Sequence, residues 1–521
     1  MSSKYIALPK GVSEKSFDAA IKEYRAILGE ANVIVAEELL VSYNKIMIPD
    51  EDEHHTPSAA ICPSSVEEVQ RCLAVCNKYK VPVWPVSTGR NFGYGTTAPA
   101  NRGQVVMDLR RMNRILEVDA ELCTCLLEPG VTYQQLYDYL QEHKIPLWLS
   151  CPAPSSIVGP VGNALDRGVG YTPYGEHFLF SCGMEVVMPN GDILRTGMGS
   201  LPGSNTAQVF KWGYGPYLDG IFTQSNYGVV TKMGFWLLPA PPAFKPFVIR
   251  YQDEADIVQA VETLRPLRIA NIVPNAVVIV HALWELGSML KRAEHFDGTG
   301  TIPDSVVRRL VKENNVGMWN VYCGLYGSPE QVEVNWKIVQ GAVKASGKGE
   351  LLTQEQVGDD PVFKYRADLM QGKMNMREMG LYNWRGGGGS CWFAPVSQAR
   401  GSETLKQMAM AKTILDKYGF DYVAEFIVGW RDMHHIVDLL FDRTDPQQMK
   451  AAKACFGELL EEFSKAGYGT YRVNTAFMDK VADYYGPVKR DVNRKIKLAL
   501  DPNGIIAPGK SGIWATGGKV I

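Results

Sequence analysis

The chain has 521 residues, 46% of them hydrophobic and 21% charged, which is the composition of a soluble globular protein long enough for two or three domains. Its 54 basic and 56 acidic residues leave a formal charge of −2, so no electrostatic argument exists for binding nucleic acid or an anionic membrane. The ten cysteines never form C-x-x-C, and reduced, mostly buried thiols without structural zinc are expected.

The N-terminal stretch "MSSKYIALPKGVSEKSFDAAIKEYRAILG" lacks the apolar run of a signal peptide, and no segment has transmembrane length. Residues 58–95 read as strand, helix, strand and glycine-rich loop. Val66, Val69, Leu73 and Cys76 give a helical stripe capped by Ser64 or Ser65, followed by an apolar strand from Val81 to Val86. Short strands at "QVVMDL", "RILEV" and "TCLLEPG" and a helix at "VTYQQLYDYLQEHK" suggest a second α+β lobe. Prolines cluster at residues 237–247, the best linker candidate. Beyond it, alternating helices and strands, among them "MWNVYCGLYG", "YVAEFIVG" and the long helix "PQQMKAAKACFGELLEEFSKAG", describe another α+β domain. The expected organisation is a two-lobed domain over 1–240, a second domain over 241–467, and a C-terminal segment over 468–521 that returns to the first.

No G-x-G-x-x-G follows a strand and opens a helix, so a Rossmann site is not expected. Two other loops, "STGRNFGYG" and "PVGNALDRGVGYTPYGEH", offer clustered backbone N–H groups able to grip a pyrophosphate; surface turns are the plain alternative. Near the C-terminus, "GIIAPGKS" matches the phosphate-loop pattern G-x-x-x-x-G-K-[ST]. That loop needs a following helix to hold phosphates, and the match reads as accidental.

The order of "GRNFGYG", "VGNALDRGVGYTPYGEH", "NYGVVTKMGFWLLP" and a terminal "DPNGIIAPGKSG" resembles the vanillyl-alcohol oxidase family of flavoenzymes across nearly the whole chain. The resemblance implies an α+β fold, a two-lobed FAD-binding domain with a substrate-covering cap, and Ser87, Gly89, Arg90, Asn91, Gly93, Gly162, Asn163, Glu176 and Gly228 around FAD. In "GLYNWRGGGGSCWFAPV" it places a tyrosine, Tyr382, where the family's oxidases have a histidine bonded to the flavin. A covalent tether through the Tyr382 phenolic oxygen follows, of the kind that accompanies cytochrome-dependent members. The four glycines Gly386 to Gly389 suggest backbone pressed on a flat ligand or a very tight bend.

Further matches place Tyr94, Tyr471 and Arg472 on a phenol oxygen, Glu378, Glu425, His434 and Asp438 on the far side of the substrate, and Lys510 near the phenolate. On a helix His434 and His435 would point about 100° apart, which makes a metal pair improbable and favours His434 for the site. The implied activity is dehydrogenation and hydroxylation of 4-alkylphenols by hydride transfer to FAD, a quinone methide and water addition, to the alcohol and on to the aldehyde in some cases. Electrons would pass to a c-type cytochrome subunit, with the flavoprotein a homodimer. A dioxygen-using oxidase is the alternative. Without an export signal the chain reads as cytoplasmic, whereas an exported cytochrome partner points to the periplasm; both stay open.

Overall fold

The computed structural model describes residues 4–153 and 155–516. The first lobe carries a four-stranded sheet in the order Val33–Ile34, Ala59–Ile61, Val105–Asp108, Val83–Val86, whose last three strands are parallel. Parallel strands need a crossover, supplied by the helix Val66–Tyr79. Its cap is Ser65, whose side chain accepts from the Glu68 N–H, and it buries Val69, Cys72, Leu73 and Cys76 completely. The strand Val83–Val86 then delivers the glycine-rich loop that begins at Ser87.

The second lobe is a five-stranded antiparallel sheet ordered Ile115–Asp119, Thr124–Leu127, Val229–Trp236, Ser181–Val187, Ile193–Arg195. The proline-rich stretch expected as a linker is instead largely strand. Leu238–Pro239 pairs with Leu147–Trp148, and Ala243–Tyr251 enters the next sheet with Pro246 tolerated opposite Gly324.

That next sheet has eight strands, all paired antiparallel. From one edge they run Glu350–Thr353, Ala243–Tyr251, Trp319–Gly327, Val277–His281, Ala424–Val428, Asp432–Phe441 and Gly389–Phe393, with Val396–Gln398 also pairing Asp432–Phe441. The helix Pro446–Lys465 packs on it through Phe456 and Phe463 edge-on to Phe393. "MHHIVD" is therefore strand, not helix, and consecutive side chains point to opposite faces. His434 and His435 still part company, by about 180° rather than 100°. His435 stacks on Phe426 in the helix-covered core, where its Nε2 meets the Tyr422 hydroxyl at 2.8 Å.

Gly386, Gly387 and Gly388 all have left-handed φ, at 81°, 62° and 70°. A Cβ at Gly387 would meet the Asp442 carboxylate at 1.8 Å. The glycine run thus makes the tight bend that starts the strand Gly389–Phe393.

The chain returns to the first lobe through the helix Pro487–Leu500. Buried Asp501 accepts the N–H groups of Ile505 and Ile506 and pairs with buried Lys497, whose ammonium also donates to the carbonyl of Ile506. Ile506 then forms a parallel bridge with Val83. "GIIAPGKS" ends in one 3-10 turn, Lys510–Gly512, in place of the helix a phosphate loop requires.

Candidate active site

Two contiguous cavities lie where the lobes, the eight-stranded sheet and the C-terminal segment meet. The first is lined by the stretch Trp84 to Asn91 and by residues from three further segments, among them Val161, Gln224, Val229, Ile506, Ala507 and Lys510. It includes Ser87, Gly89, Arg90, Asn91, Gly162, Asn163 and Gly228. The loop 87–91 leaves a parallel strand and the helix Pro160–Leu165 begins beside it, an arrangement of backbone donors suited to an anionic, elongated ligand.

Gly93 and Glu176 lie elsewhere. A Cβ on Gly93 would meet the Trp392 ring at 2.3 Å, so this glycine allows the loop to approach an aromatic side chain. Glu176 is exposed, at a surface cleft with Arg167, Lys211 and Trp212, and does not reach the glycine-loop cavity.

The second cavity shares Arg90, Asn91, Tyr94, Asn163 and Arg472 with the first and adds Phe92, Tyr171, Tyr382, Trp392, Glu425, Ile427, Ile436 and Tyr471. Strand register explains its floor. Glu425 opposes Ile436, Ile427 opposes His434, and Trp392 opposes Asp438, so these side chains share one sheet face. The alternation His434, Ile436, Asp438 is the sequence signal for that face.

At one end Arg472 lies over the Tyr94 ring, 4.2 Å from its centroid, and donates to Asn91 Oδ1 at 2.8 Å. Tyr471 stacks on His434 with ring centroids 4.4 Å apart. Burial pushes the Tyr94 and Tyr471 phenols up, against the pull of Arg472, so both stay protonated donors. The Tyr94 hydroxyl has no hydrogen-bond partner among the described residues.

Lys510 does not line this second cavity. Its ammonium donates to Asp166 Oδ1 at 2.9 Å, and Asp166 Oδ2 accepts from Asn91 at 2.9 Å. Lys510 thus reaches Arg472 only through Asp166 and Asn91. The lysine is shielded because the C-terminal turn approaches from the side of the glycine loops.

At the other end the Tyr382 hydroxyl is buried with no hydrogen-bond partner among the described residues. Glu378, four residues earlier in the same 3-10 segment, accepts from the Tyr365 hydroxyl at 2.8 Å. Burial raises Glu378 to about 7 and Glu425 to about 8, with Arg366 pulling both down. Burial likewise raises Asp438 to about 8, although Ser390 donates to its Oδ1 at 2.7 Å. Glu378 and Asp438 do not line the cavity; they are buried beside it, as are Arg366 and Glu285. Sequence reasoning missed Arg366, Glu285, Tyr365 and Asp166, none of which stands in a pattern that marks it as buried.

The site is a slot lined by the phenols of Tyr94, Tyr471 and Tyr382, the guanidinium of Arg472 and the carboxyl of Glu425, with a phosphate-suited cavity alongside. This is the site of an FAD-linked oxidoreductase. In agreement, residues 57–197 match the FAD binding domain family and residues 319–511 the C-terminal domain of FAD-linked oxidases. The chain is 60% identical, over 97% of both sequences, to the 4-cresol dehydrogenase [hydroxylating] flavoprotein subunit of Pseudomonas putida. The crystal structure of p-cresol methylhydroxylase with substrate bound superposes with a TM-score of 0.97 at 60% identity, over 98% of this chain and all 100% of that one. The 4-ethylphenol oxidase from Gulosibacter chungangensis, in its isoeugenol complex, gives 0.95 at 36% identity, over 97% and 99%. The chain belongs to the vanillyl-alcohol oxidase family of FAD-dependent enzymes.

Proposed function

We propose that this chain is a flavoprotein subunit that dehydrogenates and hydroxylates para-alkylphenols such as p-cresol or 4-ethylphenol, and passes the electrons to a c-type cytochrome. The observation that carries this reading is the convergence of Tyr94, Tyr471 and Arg472 at one end of a slot whose other end holds Tyr382 and Glu425. The 60% identity to a hydroxylating dehydrogenase subunit, against 36% to an oxidase, supports the hydroxylating branch.

Ser87 to Asn91, Gly162, Asn163 and Gly228 would hold FAD, and the unpartnered phenolic oxygen of Tyr382 is the candidate tether. Bound FAD supplies the hydride acceptor. A substrate phenol has a pKa near that of tyrosine, about 10, so ionising it at pH 7 takes roughly 4 kcal/mol. Charge-assisted hydrogen bonds contribute about 1.5–3 kcal/mol each, so Arg472 with two tyrosine donors suffices. The phenolate pushes electrons to the para carbon. Once the benzylic hydride has left, water adds to the resulting quinone methide, and the Glu425 carboxylate, which lines the slot with Glu378 buried behind it, takes the water proton. Trp392, Ile427 and Ile436 give the slot apolar walls that limit bulk water. A pair of such subunits, each with its cytochrome, is the assembly this reading implies.

Steady-state oxidation of p-cresol with cytochrome c as acceptor tests the reading, with product alcohol and hydrogen peroxide both measured. Alcohol with cytochrome reduction and no peroxide supports it. One peroxide per phenol without cytochrome makes the chain an oxidase.

A further inference from the structure

Arg366 is the most enclosed cation beside the site, and the reading above gives it no part. Its side chain is 2% exposed and stands on the helix Pro361–Leu369, whose N-cap is Asp360. Its Nε donates to Glu285 Oε1 at 3.2 Å. Its Nη1 lies 4.0 Å from Glu378 Oε2 and 3.9 Å from Glu425 Oε2. Those three carboxyls arrive from separate elements, the helix Ala282–Gly287, the 3-10 segment Arg377–Asn383 and the strand Ala424–Val428.

We infer that Arg366 and Glu285 form a fixed buried ion pair whose placement leaves Glu378 and Glu425 one proton to share, so that Glu425, which lines the slot, exchanges a proton in the hydration step with Glu378 behind it. This rests on the proposed hydroxylation of a phenol in the adjoining slot. Arg366 and Glu285 act as positioning residues.

The argument is one of charge. Three ionised carboxylates around one guanidinium would bury a net charge of −2, a state disfavoured by desolvation. A guanidinium stays charged, and Glu285 is the carboxylate bonded to it, so Glu285 is its counterion. Glu378 and Glu425 then face each other's charge with only the remote edge of the guanidinium to offset it. Two like carboxyls so placed titrate as a pair, one losing its proton well before the other. Burial raises both into the neutral range, and the charges of Glu378 and Glu285 raise Glu425 further. Also facing the pair are the phenols of Tyr171, Tyr322 and Tyr365, with Tyr382 toward Glu378, Tyr471 and Asp438 toward Glu425, and Asp360 and Arg250 beyond Tyr322. Among them only Asp438 titrates near the pair, and its charge pushes the same way as a second carboxylate.

The orphaned atoms agree. Glu378 Oε1, Glu425 Oε2 and both Arg366 Nη atoms lack hydrogen-bond partners among the described residues. In the step itself, the oxygen of water bonds to the benzylic carbon of the quinone methide and the ring recovers its phenolate. The water proton goes to the ionised Glu425, which lines the slot, while Glu378 behind it holds the pair's other proton.

The signs separate this role from a structural one. Removing Arg366 takes away a cation, so the pair holds its protons to higher pH. Removing the Glu285 charge frees the guanidinium for the pair and releases protons at lower pH. The test is single-turnover alcohol formation from p-cresol against pH in the FAD-loaded protein, with infrared titration of the protonated-carboxyl band, for wild type, Glu285→Gln, Arg366→Met and Arg366→Lys. Glu285→Gln should move the acidic limb and the band midpoint down by about one pH unit, and Arg366→Met should move both up by at least as much. Arg366→Lys, which keeps the charge and loses the fork, should fall between wild type and Met; if Met fails to fold, Lys and Gln carry the comparison. Displacements in the same direction, or none, overturn the proposal. The infrared titration needs no turnover, so it decides the proposal even if the phenol reading fails.

Discussion

The guanidinium of Arg472 lies over the ring of Tyr94, 4.2 Å from its centroid, while Asn91 Oδ1 accepts from its Nη2 at 2.8 Å. The stack and the bond fix the plane of the fork, and such a fork is worth more to a phenolate than a point charge. Arg472→Lys is therefore expected to lower kcat/KM for p-cresol by about 10- to 100-fold, from the roughly 1.5–3 kcal/mol of one charge-assisted bond. The loss should be partly recovered at alkaline pH, because more substrate then arrives already ionised as the pH approaches its own value of about 10. A pH-independent loss would mean that Arg472 does not stabilise the phenolate.

Tyr382 offers a sharper test because its outcome is covalent. The buried hydroxyl has no hydrogen-bond partner among the described residues, and a bare buried phenol costs about 1–3 kcal/mol. An aryl ether to the cofactor removes that cost. Tyr382→Phe should bind FAD and release all of it into the supernatant on acid precipitation, where the wild-type protein retains its yellow colour in the pellet. Retained flavin in the variant would move the bond to another residue.

The parallel unit around Val66–Tyr79 was legible because Val69, Leu73 and Cys76 repeat at helical spacing and Ser65 caps the turn. His434 and His435 were not, since two adjacent histidines part on a helix or a strand alike; only the period-two run His434, Ile436, Asp438 distinguishes them. Within the site, Arg472 and Asn91 are bonded across 381 positions of sequence, and although family motifs assigned Asn91 to the cofactor and Arg472 to the phenol, neither motif disclosed their bond to each other. Arg366 had neither help. It sits in "FKYRAD", a stretch that reads as a solvated helix face, and its counterion is 81 positions away. The proline cluster reads as a linker for a related reason: Pro246 stands where its strand has a partner on one side only, next to the stretch from Phe247 that is paired on both, so its missing N–H is accommodated.

Lys510 and Asp166 form a pair only partly shielded, with side chains 18% and 22% exposed. Lys510, Arg472 and Asn91 hold the Asp166 carboxyl below its usual range, so its contribution is present above about pH 4 and fades as pH falls further. Lys510→Ala should cost about 1 kcal/mol of stability at pH 7 and progressively less as the pH falls below about 4, measured by thermal unfolding. Phenol affinity should change by less than about twofold, since Arg472 keeps its bond to Asn91. A large rise in phenol Kd would return Lys510 to the substrate.

Asp438 shows the opposite sign. Burial raises its carboxyl to about 8, far above the ordinary aspartate value of 3.8, and the one bond from Ser390 does not compensate. In the unfolded chain Asp438 loses its proton near pH 4, while in the folded chain it keeps it to about pH 8, so its contribution to stability is fully present below pH 4 and is lost as pH rises toward 8. Asp438→Asn has the same shape and never ionises. Measured against wild type, its Tm should climb steadily between pH 5 and pH 8 and level off above, because each unit in that window is worth about 1.4 kcal/mol per proton. Loss of the Ser390 hydrogen bond geometry would lower the variant's Tm by the same amount at every pH, and so is separable from the slope. A difference in Tm that stays flat from pH 5 to pH 9 would show that Asp438 is already ionised in the folded protein, and that the sheet face under the slot carries a charge rather than an acid.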